Sequence, residues 1–200
     1  MKGRYKILVD QFMLAQLFGS GYKPGCIEQD MIQLAIDRAY RDFCRTIRNI
    51  KDIGATRDTS TQCIKSSIEN LCCNSRDEYD EWHKSLCFEI EKKGYTFGQA
   101  QKWVNMTMKY LMVLDYSPVF KYIDYLHVPI DTIVIENAID KGIIEPKERN
   151  NYLPWSTSLA NDEHNDNYGS FQSIIRRFAE NYNISPIEWE FGAWNESTKR

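Results

Sequence analysis

The chain has 200 residues, 42% of them apolar and 13% aromatic, and a formal net charge of −3 at pH 7. That composition excludes a disordered chain, and the length favours one domain with a sizeable core. The mild acidity excludes a globally basic nucleic-acid binder, so any contact with DNA has to come from a local basic face.

No stretch approaches the roughly 18 apolar residues of a membrane span. Asp10, Gln11 and Gln16 interrupt the apolar run near the N-terminus, which does not suit a signal peptide. No membrane and no small-molecule cofactor is expected. Cys26, Cys44, Cys63, Cys72, Cys73 and Cys87 lack a disulfide-scaffold rhythm. They read as reduced, mostly buried thiols of a cytoplasmic protein.

Residues 5–18 read as a helix or a strand-like opening, ended by Gly19-Ser20-Gly21, and Tyr22 to Gly25 as a turn. Residues 28–50 predict a helix whose buried stripe is Met31, Leu34, Ala35, Ala39, Phe43, Ile47 and Ile50. Arg38, Arg41, Arg45 and Arg48 share one side of it. That side is read first as a solvated face with Asp37 and Asp42 as local partners, and second as a phosphate-contacting ridge. A polar connection from Lys51 to Ser60 precedes a short helix, Thr61 to Cys73. Ser75, with Glu78 three residues on, caps a helix over 76–93 that buries Tyr79, Trp82, Leu86 and Ile90.

Tyr95 to Asp115 predicts the central helix. Thr96 and Gln99 form a capping box, and Phe97, Ala100, Val104, Met108, Leu111 and Leu114 make one apolar stripe. Lys102 lies in its second turn beside Trp103, where an ammonium is costly unless paired or used. Lys109 lies on about the same side. Val119 to Leu126 is a short helix or turn, and Asp131, after Pro129, caps a helix over Thr132 to Lys141 that stops at Gly142. Residues 145–167 read as a long polar loop. Helices return over Tyr168 to Tyr182 and after Ser185-Pro186, the latter carrying Trp189, Phe191 and Trp194. Arg176 and Arg177 read as surface charges. The expected fold is all-α, one helical domain over 1–200.

Gly98-x-Ala100-x-Lys102 at the start of a buried helix, followed by Pro129-Ile130-Asp131-Thr132-Ile133-Val134, resembles the helix-hairpin-helix DNA glycosylases, and among them the 8-oxoguanine type. The likeness covers about residues 76–142. It implies a glycosylase-like helical core, with Lys102 as a Schiff-base nucleophile and Asp131 as its electrostatic partner. It implies base excision at an oxidised purine, accompanied by abasic-site lyase activity. Gly98, Gln99, Ala100 and Gln101 would contact DNA in the hairpin position, joined by Arg38, Arg41, Arg45 and Arg48. Trp103, His127 and Trp155 would line the base pocket. Ala100 replaces the family's second glycine, and the iron–sulfur cysteine cluster of some members is absent.

The chemistry asks for these groups independently. Breaking an N-glycosidic bond develops positive charge on the sugar, which a carboxylate stabilises, and a neutral amine can attack the anomeric carbon. The competing expectation is a non-catalytic nucleic-acid- or protein-binding module on the same fold, in a bacterial or phage conflict setting, with a protein partner. Cys72, Cys73, His83 and Cys87 do not match a common zinc spacing, so no metal is expected.

Overall fold

A computed structural model describes residues 2–23, 30–46, 53–161 and 164–197. The described residues are helical or irregular, with no strand among them. The helices are α1 (Lys2–Phe18), α2 (Met31–Thr46), α3 (Ile53–Glu69), α4 (Arg76–Glu91), α5 (Phe97–Val113), α6 (Ser117–Phe120), α7 (Thr132–Asp140), α8 (Arg149–Tyr152), α9 (Trp155–Ser158), α10 (Asn167–Asn181) and α11 (Pro186–Ser197).

α5 is the axis. Its capping box forms as the sequence predicts: Gln99 N–H donates to Thr96 Oγ1 at 3.2 Å, and Thr96 N–H donates to Gln99 Oε1 at 3.0 Å. All six residues of its apolar stripe are buried, and so are the off-stripe Trp103 and Met106. Helices α2, α4, α6 and α9 pack against it. Trp103 stacks on Phe43 and touches Tyr40 and Tyr95, and its indole N–H donates to Ile36 C=O at 3.3 Å. Ser75 caps α4 through Glu78 N–H, and Asp131 caps α7 through Val134 N–H. Gly94 and Gly142 follow their helices with positive φ of 100° and 67°, conformations that glycine adopts without steric cost.

Three expectations are corrected. Residues 53–60 are the first half of α3 rather than a connection. Residues 145–159 are not a loop. A 3-10 turn, α8 and α9 occupy them, and Tyr152, Trp155 and Leu159 are buried in the core. Arg176 is not a surface charge. It is 4% exposed and grips Asp80 with both terminal nitrogens, at 2.5 and 2.6 Å, whereas Arg177 is exposed. Ile47 and Ile50, the last two residues of the predicted α2 stripe, lie outside the described residues.

Burial of α9 on α5 makes Gly98 a steric requirement. A Cβ there would lie 2.1 Å from the Trp155 carbonyl oxygen, a backbone atom that cannot swing aside. Gly98→Ala should therefore lower stability by about 1–3 kcal/mol, the usual cost of overpacking. A thermal midpoint within a degree of wild type would show that the α9 segment is not seated this way.

Candidate active site

Lys102 and Asp131 are 29 residues apart and meet. Lys102 Nζ donates to Asp131 Oδ2, while the other carboxylate oxygen accepts the Val134 N–H at 2.9 Å. One oxygen therefore starts α7 and the other faces the amine. Both residues are almost wholly buried, at 3% and 6% exposure. The segment that delivers Asp131 is held by side-chain amides. Gln101 accepts the Ile130 N–H at 3.2 Å and donates to the Ile130 C=O at 3.0 Å. Gln172 does the same for Val128, at 3.0 and 2.9 Å. Asn105 adds donations to Val128 C=O and to Gln101 Oε1.

The pair opens onto a cleft of about 380 Å³, lined by Arg38, Asp42, Lys102, Met106, Lys109, Tyr110, Asp131 and Trp194. Lys109, two turns along α5 from Lys102, donates to both oxygens of Glu190 at 2.6 and 2.8 Å. Glu190 is fully buried, and burial lifts its carboxyl above the usual carboxylate range despite the pull of Lys109. The Trp194 ring lies 5.8 Å from Lys102 Nζ and 5.9 Å from Lys109 Nζ, and Phe191 lies 4.4 Å from Lys109 Nζ. Arg38 pairs with Asp42 at 3.1 Å, and Asp42 also accepts the Tyr110 hydroxyl. Among the described residues, Arg38 Nε and Trp194 Nε1 have no hydrogen-bond partner.

Several candidate residues take other roles. Gly98, Ala100 and Gln101 are buried, so they do not form an open hairpin surface for a phosphate. Gln99 is half-buried and spent on the capping box. Arg38 turns into the cleft and Arg41 is exposed, so they do not act as one ridge. The Arg45 side chain and Arg48 lie outside the described residues. Trp103 is core, Trp155 covers the start of α5, and His127 is sequestered elsewhere; none of the three lines the cleft. The aromatic groups that do line it, Tyr110 and Trp194, carry no local motif. Glu190 was equally silent in the sequence, although the i to i+7 spacing of Lys102 and Lys109 placed both amines on one side.

His127 belongs to a polar chain behind the site. His83 Nε2–H donates to Asn105 Oδ1 (2.7 Å), Asn105 Nδ2–H to the Tyr168 hydroxyl oxygen (3.0 Å), Tyr168 O–H to His127 Nδ1 (2.6 Å), and His127 Nε2–H to Asp80 (2.7 Å). Cys87 touches His83, but no group of three His, Cys, Asp or Glu among the described residues is arranged to hold a metal. Burial, seconded by Arg176, pushes the His127 imidazole down to about 4, and burial pushes His83 down as well. An imidazole with a lowered folded-state pKa stabilises the fold above its unfolded value and loses that contribution as pH falls. For His127 the window runs from about 6.5 down to about 4, which predicts a loss of about 2 kcal/mol between pH 7 and pH 5. Chemical denaturation of wild type and His127→Gln at both pH values checks this. Equal losses in the two proteins would exclude His127 as the source.

Comparison with protein-family models, with curated proteins and with solved structures finds no match for this chain. No helix among the described residues is long and apolar enough to cross a membrane.

Proposed function

We propose that the protein cleaves N-glycosidic bonds as a DNA-glycosylase-like enzyme, with Lys102 as nucleophile and Asp131 as its carboxylate. The supporting observation is the buried contact between these two side chains at an open cleft. For attack, Lys102 Nζ must shed a proton, and Asp131 Oδ2 is the acceptor in contact with it. The free electron pair of Nζ then bonds to the anomeric carbon. The glycosidic bond breaks, its electrons leave with the base nitrogen, and that nitrogen takes up a proton. That proton is the one Asp131 took from Lys102, and the carboxylate so restored opposes the positive charge that develops on the sugar. The C–N adduct opens to a Schiff base, which water hydrolyses or which β-eliminates at an abasic site. An oxidised purine such as 8-oxoguanine is the base implied by the glycosylase resemblance.

Borohydride reduction during turnover tests this. A covalent adduct on Lys102 that disappears in Lys102→Gln supports the mechanism. Base release without any adduct would remove the amine from the chemistry. The buried first turn of α5 favours a second reading, a binding module that keeps the fold without turnover.

A further inference from the structure

Resting on that reading, we infer that the cleft takes a single nucleotide rather than a base flipped out of a duplex, with the phosphate on Arg38 and Lys109. Base flipping needs a protein surface that grips the duplex backbone on both sides of the extruded nucleotide. Neither surface that the glycosylase resemblance would use for this is open among the described residues. The start of α5 is covered: Thr96 O–H donates to the Ser156 carbonyl, and Trp155 O lies where a Cβ of Gly98 would go. Arg38 is turned into the cleft and paired to Asp42, which separates it from the exposed Arg41. The whole chain carries a net charge of −3.

The cleft itself is furnished for a small anion-bearing ligand. Its volume, about 380 Å³, falls at the lower end of small-molecule sites. Arg38, Lys102 and Lys109 reach its surface, against the carboxylates of Asp42 and Asp131; Glu190 lies behind Lys109 and does not line it. Lys109 uses two of its three donors on Glu190, which leaves one, and Arg38, which lines the cleft, has a buried Nε with no partner among the described residues. A phosphate takes donors of this kind from Arg and Lys. The Trp194 ring lines the cleft 5.8 and 5.9 Å from the Lys102 and Lys109 ammonium groups, an aromatic surface for the base or sugar.

The test uses the full chain and three kinds of probe: 8-oxoguanosine and guanosine 5′-monophosphates in the deoxy and ribo forms, the matching nucleosides, and a duplex holding one 8-oxoguanine. Binding is followed by calorimetry and base release by chromatography. The expected result is 1:1 nucleotide binding at least tenfold tighter than nucleoside, weakened at least tenfold by Arg38→Gln, with the duplex bound more weakly than either. A duplex bound or processed better than the nucleotides overturns the inference, as does binding to none of the probes or a phosphate that brings no gain. Nucleotide binding without base release or adduct leaves the ligand assignment standing and defeats the glycosidic chemistry instead.

Discussion

Lys102→Gln is expected to abolish the borohydride adduct and to destabilise the protein by about 3–5 kcal/mol, the cost of leaving a buried charge without its partner. The two effects have separate origins. The first removes the proposed nucleophile. The second arises because Asp131 is 6% exposed and, among the described residues, keeps the Val134 N–H alone for its charge. Pairing Lys102→Met with Asp131→Asn separates them. Asparagine caps a helix as well as aspartate does, and the buried charge is gone. The double variant should recover most of the lost stability in urea denaturation and none of the activity. Adduct formation by either protein would assign the chemistry to another amine, and Lys109 is the nearest candidate on the same face of α5.

Lys109→Met should also cost about 3–5 kcal/mol at neutral pH, because it strands the fully buried Glu190 carboxylate. Burial already raises the Glu190 pKa in the native protein, and loss of Lys109 raises it further. A carboxyl with a raised folded-state pKa favours the fold below its unfolded value near 4.5 and loses that favour as pH rises through the folded value. The penalty of Lys109→Met should therefore shrink on going from pH 7 toward pH 5, where Glu190 binds a proton. A stability difference from wild type that stays constant across that range would contradict the assignment. Lys109→Met/Glu190→Leu should restore stability at neutral pH, since a packed apolar pair avoids the desolvation cost altogether.

How far the sequence carried differs from residue to residue. Thr96 with Gln99, Ser75 with Glu78, and Asp131 before Thr132 are signals that act within four residues, so they could be read directly, and each cap forms. The all-α class followed from the same signals and from helical periodicity. The order of two short motifs linked Lys102 with Asp131 and left open whether the two meet in space. The rest of the cleft was not legible. Arg38, Tyr110 and Trp194 reach it from three helices, and nothing within α2 or α11 marks which side chain will face α5. Residues 145–159 looked like a polar loop because their helices are four residues long. Such turns show no period, and they are held by burying Tyr152, Trp155 and Leu159 against the core rather than by local preference. The pairing of Arg176 with Asp80, 96 residues away, left no local trace either.

Gln101 has a consequence beyond bracing Ile130. It is the residue immediately before Lys102, so the amine and the clamp that holds the Asp131 segment project from adjacent positions of one helix. When α5 bends or shifts, both ends of the reactive pair travel with it. Movement of the remainder of α7, or of the α11 residues that flank the cleft, can then reshape what the cleft admits while the separation of Lys102 and Asp131 stays the same. What the cleft admits and the spacing of Lys102 and Asp131 are thereby set by different elements of the fold.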